Sequence, residues 1–266
     1  MKPLRVLSID WDYLVNATMK ERMTMFPDGG NENLPNGLLD YIWMNRYTDY
    51  PKLSDIGVDK FALNYLKNFI QNRCDSHTQV MVADSHKHIF NLVHLMHVKD
   101  QPVTIINVDF HHDCYGSLND TEVNCGNWVN QMFVNIKNKL NMPLSESQYL
   151  WVKREDSDEP EESPRWSKSI SIKELGKLED FTLDVLFICR SGTWSPPHLD
   201  RDFIKFAKWC MSRNELLALS EEGILNSRYN KKFHTSVNQL KEQMTELRKC
   251  METQILVETC KPNWKS

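Results

Sequence analysis

The chain of 266 residues, 41% hydrophobic and 26% charged, is sized for one large soluble domain spanning 1–266. No run approaches the roughly 18 apolar residues of a membrane span, and the start Met1-Lys2-Pro3-Leu4-Arg5 lacks a signal-peptide apolar core, so a cytoplasmic protein is expected, with no membrane partner. A net charge of −4 gives no footprint for nucleic acid, and seven cysteines without a CxxC pair argue against a disulfide framework and a thiolate zinc site.

In chain order, the β-branched run at 5–10 predicts a strand buried on both faces. An irregular stretch from about 13 to 57 follows, punctuated by Pro27-Asp28-Gly29-Gly30 and Pro35-Asn36-Gly37. Phe61, Leu63, Tyr65, Leu66, Phe69 and Ile70 have helical spacing, and a strand at 79–83, a helix over about 86–98 and a strand at 103–109 come next. Gly126-Asn127-Trp128 opens a helix to about 139; strands are expected at 149–152 and 183–189, separated by an acidic loop at 154–162. From about 198 the chain reads as mainly helical, and the stripe Phe233, Val237, Leu240, Met244, Leu247, Met251 fits core packing or the face of a homo-oligomer. Alternating strands and helices predict a three-layer α/β/α domain with a mostly parallel central sheet.

The chemistry concentrates where three of these strands end. Asp109-x-His111-x-Asp113 and Asp10-x-Asp12 place ligand-type residues at alternate positions, which an extended chain presents on one face. His86 closes a third apolar run, Val80-Met81-Val82-Ala83. Carboxylates with imidazoles suit a hard divalent ion such as Mn²⁺, and four carboxylates need about two such ions to offset their repulsion. Taken alone, an Asp-x-Asp is more often a turn or cap, and a helix-start histidine often only packs; the combination favours metal.

Asp109-Phe110-His111-His112-Asp113 resembles the DxHxD motif of arginases and agmatinases, and Ser8-Ile9-Asp10-Trp11-Asp12 resembles their SxDxD motif. Together with Gly126-Asn127-Trp128 and Trp194-Ser195-Pro196-Pro197, the set is similar to the peptide arginases within the ureohydrolases, over roughly residues 4 to 200. The resemblance implies an arginase/deacetylase-like fold and a binuclear manganese site with Asp10 and Asp109 bridging. His86 and Asp113 would hold one ion, His111 and Asp12 the other. It implies hydrolysis of arginine residues in a ribosomally made precursor peptide to ornithine and urea, with Asn127, Trp128 and Trp194 near substrate and Asp113 moving the proton. The motif order is permuted relative to the family, and Trp128-Val129 stands where the family has its catalytic histidine. His88 and His112 are substitutes by proximity in sequence, and Asp184, Asp200 and the acidic loop are candidates to grip the guanidinium.

Three rivals compete. A haloacid-dehalogenase-like phosphatase would use Asp10 as nucleophile with Asp12, leaving Asp109-x-His111-x-Asp113 unexplained. A one-zinc deacetylase would need fewer carboxylates. A non-catalytic, metal-containing peptide-binding protein is compatible with the missing histidine.

Overall fold

The computed structural model describes residues 1–26, 36–116, 122–133, 147–157 and 167–212. Six strands, β1 (Leu4–Asp10), β2 (Gln79–Ala83), β3 (Val103–Val108), β4 (Gln148–Lys153), β5 (Ser167–Ser171) and β6 (Val185–Cys189), pair in parallel in the order β2-β6-β1-β3-β4-β5. The expected parallel sheet is therefore wholly parallel among these strands. Among the described residues the α-helices are α1 (Met19–Met25), α2 (Asn36–Asp49), α3 (Lys60–Arg73), α4 (His88–Met96), α5 (Trp128–Gln131), α6 (Ile172–Leu175) and α7 (Asp200–Met211).

The pleat divides each central strand between two cores. Leu7 and Ile9 of β1, Ile106 and Val108 of β3, and Leu186 and Ile188 of β6 face α3 and α7, which contribute Leu66, Phe69, Ile70, Phe203 and Phe206. Leu4, Val6, Val103, Ile105, Val185 and Phe187 face the other way, against Ile89 and Val93 of α4 and Trp128 and Val129 of α5. That is the three-layer α/β/α arrangement the alternation predicts.

The stretch expected to be irregular, about 13 to 57, is substantially helical. A 3-10 turn at Trp11–Leu14, then α1, α2 and a second 3-10 turn at Pro51–Asp55, occupy its described part. The overlooked signal is a capping box at Thr18-Met19-Lys20-Glu21: the Thr18 side chain accepts from the Glu21 N–H, while the Glu21 carboxylate accepts from the Thr18 N–H. In α2, Leu39, Trp43 and Tyr47 recur every four residues and bury against Phe26, Leu53 and Leu199 in a third core. The Trp43 indole N–H donates to the Gly192 carbonyl and the Arg46 guanidinium to the Thr193 carbonyl, so α2 grips the loop after β6.

Strand β5 was also not expected. Its sequence Ser-Lys-Ser-Ile-Ser is polar because it lies at the sheet edge and buries only Ile170. Helix α7 lies at the start of the part read as mainly helical; the rest of that part beyond 212, with the stripe at 233–251, residues 134–139 of the expected α5 and residues 158–162 of the acidic loop, lies outside the described residues. Among the described residues no helix is long and apolar enough to cross a membrane.

Candidate metal centre

Between β1 and β3 the chain changes its direction of progress across the sheet, since β2 and β6 lie on one side of β1 and β3, β4 and β5 on the other. A crevice at the carboxyl ends of the strands opens at such a point. The register pairs Ile9 with Val108, which sets Asp10 beside Asp109 one residue further on. By the two-residue period, Ser8 and Asn107 point to the same face as Asp10 and Asp109. Two polar residues thus precede the carboxylates on a face that is otherwise apolar, with Leu4, Val6, Val103 and Ile105.

The six predicted ligands come together. His86 Nδ1 lies 3.4 Å from Asp10 Oδ2, 3.1 Å from Asp109 Oδ2 and 3.0 Å from Asp113 Oδ2. His111 Nδ1 lies 3.1 Å from Asp12 Oδ2 and 3.8 Å from Asp109 Oδ1. Two groups able to hold a cation result, Asp10-His86-Asp109 and Asp12-Asp109-His111, with Asp109 common to both.

Charge and geometry both fit a cation. One ring N–H cannot serve three carboxylate oxygens at once, whereas a central ion satisfies all four atoms together. Adjacent ligands of an octahedral ion, at metal–ligand distances of about 2.1 Å, stand about 3.0 Å apart, close to the separations found around His86. Asp12 Oδ2 is fully buried, with His111 Nδ1 at 3.1 Å and the Arg22 guanidinium at 3.6 Å beside it, a setting that keeps the carboxylate charged and available to a cation. Oxygen-rich ligands with imidazole nitrogen suit a hard or borderline divalent ion.

Without an ion the cluster holds protons instead. Burial, with the neighbouring charges of Asp12 and Asp109, raises the Asp10 pKa well above the usual carboxylate range. Burial and the charges of Asp113 and Asp12 push Asp109 up to about 8. Burial alone would lower both imidazoles, but the surrounding carboxylates win: His86 is raised well above its ordinary value, chiefly by Asp113, and His111 to about 9, chiefly by Asp12. Asp12 is opposite in sign. Burial would raise its pKa, yet His111 and Arg22 together hold it below the ordinary value.

The supporting side chains were largely missed in the sequence. Ser8 Oγ meets His86 Nε2 at 2.5 Å; with a ring proton on Nε2 donated to Ser8, the Nδ1 lone pair would be free for an ion held among the carboxylates. Asn107 Nδ2 donates to Asp109 Oδ2 and to the Tyr149 hydroxyl, and the His111 N–H donates to Asp109 Oδ1. The Asp12 N–H donates to Asp10 Oδ1, which closes the 3-10 turn after β1. The legible signal was a polar residue two before each strand-end aspartate, an arrangement a purely structural buried strand avoids. Arg22, from α1, carried no signal of its own.

The other predicted residues fall in different places. Trp128 is fully buried, with its ring 5.0 Å from that of His86 and its indole N–H donating to Asp113 Oδ2 at 2.5 Å. It supports a ligand rather than lining an opening. Asn127 Oδ1 accepts from the Asn124 N–H and Nδ2 donates to the Glu122 carbonyl, so its side chain closes the loop before α5. Asp113 has φ 55°, a left-handed conformation that Asp adopts more readily than most residues, and it turns the carboxylate back toward His86. His112 is buried against Tyr115 and Trp151, with Nδ1 accepting the Cys114 N–H. His88 is half-buried at the start of α4, with Lys87 and Asp84 as its charged neighbours. Trp194 sits 4.5 Å from the His111 ring, and His111, whose side chain is 17% exposed, is the most accessible of the six ligands, so the centre opens on that side.

Two of the guanidinium candidates are corrected. Asp184 stands at the opposite, amino end of β6, bound to Lys2 and to the Arg5 N–H. Asp200 already holds a guanidinium of its own chain, accepting from Arg190 Nε and Nη2. In the acidic loop, Asp156 accepts from the Met19 N–H and from Arg154. Asp10, the nucleophile of the phosphatase alternative, is only 3% exposed and is walled in by His86 and Asp109, which favours a ligand.

No family model, curated protein or solved structure is similar to this chain.

Proposed function

We propose that the protein is a binuclear manganese hydrolase of the ureohydrolase type, converting arginine residues of a precursor peptide to ornithine with release of urea. The observation that carries this reading is the shared position of Asp109 between two potential cation groups, built from the Asp10-Asp12 and Asp109-His111-Asp113 motifs. A centre of this composition, with a shared carboxylate, suits hydrolysis better than a purely structural ion, which needs only one closed shell of ligands.

Asp10, His86, Asp109 and Asp113 would hold one Mn²⁺, and Asp12 and His111, with the shared Asp109 and Asp10, the other. Bound divalent ions supply Lewis acidity and make water a stronger acid at neutral pH. The chain's part is placement and proton handling. Ser8 fixes the His86 ring, Asn107 fixes Asp109, and the Trp128 N–H fixes one oxygen of Asp113. Asp113 Oδ1 is then the oxygen to take the proton of the attacking water. As water oxygen adds to the guanidinium carbon and the bond from that carbon to the side-chain nitrogen breaks, Asp113 returns the proton to that nitrogen. Trp194, beside His111 at the accessible side, offers an aromatic face to an incoming guanidinium.

The test is incubation of manganese-loaded protein with an arginine-containing peptide and, separately, with free arginine, following urea and product mass. Urea with peptide-bound ornithine supports the proposal, and urea from free arginine alone makes the protein an ordinary ureohydrolase. Metal binding without urea from either, across a panel of precursor-like peptides, overturns the enzymatic reading in favour of a metal-containing peptide-binding protein.

A further inference from the structure

Arg22 is the one cationic side chain, among the described residues, with an ion-pair contact to the carboxylates of the centre other than the two histidines. It reaches the centre from α1, 1% exposed, and its Nη1 lies 3.6 Å from Asp12 Oδ2. Its guanidinium cannot swing away. Nη2 donates to the Asp12 carbonyl at 2.5 Å and the Val15 carbonyl at 3.0 Å, and Nε to the Ala17 carbonyl at 3.3 Å. The flat face rests on the Phe110 ring, 3.8 Å from its centroid. A fixed positive charge is thus built against one half of the centre, the Asp12-Asp109-His111 half, and the contacts of His86 lie on the other.

We propose that Arg22 acts as a resident third cation that makes the two ion positions unequal, so that the Asp10-His86-Asp109 half fills first and the Asp12-Asp109-His111 half fills more weakly. This rests on the reading of the cluster as a site for two divalent ions and is independent of the substrate. Asp10, Asp12, Asp109 and Asp113 bring four negative charges, and Arg22 reduces the net charge to minus three. One divalent ion brings the centre to minus one, and the second takes it to plus one, which a single anionic ligand such as hydroxide neutralises. Without Arg22 the singly loaded centre would be at minus two and would draw the second ion more strongly. The same charge at Asp12 makes that carboxylate a weaker donor to its ion, because it is shared with the guanidinium.

The experiment is calorimetric titration of Mn²⁺ into metal-free protein, with the electron paramagnetic resonance of the bound ions followed in parallel, for the wild type and for Arg22→Gln and Arg22→Lys. Glutamine keeps amide donors near the three carbonyls but removes the charge; lysine keeps the charge but loses the fork. The wild type should bind two ions with affinities separated by at least about tenfold, the scale of one nearby charge. Arg22→Lys should keep that gap, and Arg22→Gln should narrow it by tightening the second ion. Equal affinities in the wild type, or an unchanged gap in a folded Arg22→Gln protein, would overturn the proposal. If Arg22→Gln fails to fold, His111→Ala decides: it should lose the weaker event and keep the tighter one, and loss of the tighter event overturns the assignment. A wild type that binds no ion at all sinks the metal reading itself, an outcome distinct from equal affinities.

Discussion

Ser8 and His86 lie 78 residues apart in the chain, and their side chains meet at 2.5 Å. The contact ties the first motif of β1 to the histidine that follows β2, across the intervening strand β6. Replacing Ser8 with Ala removes one buried atom, the oxygen that meets His86 Nε2. Mn²⁺ affinity should fall by about 10- to 100-fold, the usual effect of losing such a partner. Calorimetry measures it; an unchanged affinity would mean that stacking on Phe187, at 5.8 Å and 6°, is sufficient to orient the ring.

Asp109→Asn should leave neither ion bound, because both potential groups include this carboxylate. The fold should survive, since the Trp151 indole N–H donates to the Asp109 backbone carbonyl, which the substitution keeps. Equilibrium dialysis with metal analysis checks this, and one retained ion per chain would contradict a shared ligand.

Trp128→Phe keeps the ring against His86 and removes the N–H from Asp113. A buried carboxylate that loses a donor costs about 1–3 kcal/mol. Thermal unfolding of the metal-free protein should show that loss. Turnover, if Asp113 moves the proton, should change in its pH profile as well as in its size.

The metal-free protein should become less stable as pH rises from about 6.5 to 9. Asp109, raised to about 8, and His111, raised to about 9, both hold more protons folded than unfolded across that window. A raised folded pKa contributes stability that is complete below the unfolded value and is lost as pH passes the folded one. Manganese should reverse the trend, because ions replace those protons. Melting curves at several pH values, with and without Mn²⁺, test it; parallel curves would show that the cluster does not bind metal.

The layers were legible because buried parallel strands are written as β-branched runs, as in Val103–Val108. The ligands were legible because carboxylates and histidines end three such runs together, a combination that caps and turns alone do not require. Arg22 was not legible: its function depends on α1 folding back over the first strand's end, and one arginine in a polar helix looks like any solvated charge. Trp128 was assigned to substrate because its segment resembles a substrate-contacting one, and only the packing of α5 puts the indole beneath Asp113. Strand β5 escaped because an edge strand with one buried side chain has no hydrophobic pattern to read.

The pairing of Ile9 with Val108 makes the spacing of Asp10 and Asp109 a property of the backbone ladder. Sliding β1 by one residue along β3 would send Ser8 and Asp10 to the opposite face, among Ile106 and Val108 of β3 and Leu186 and Ile188 of β6, and would bury bare carboxylates in hydrocarbon. A bound ion therefore penalises every misaligned pairing of these two strands. Refolding in the presence of manganese should discriminate against slipped chains, so the centre doubles as a proofreader of the sheet that builds it.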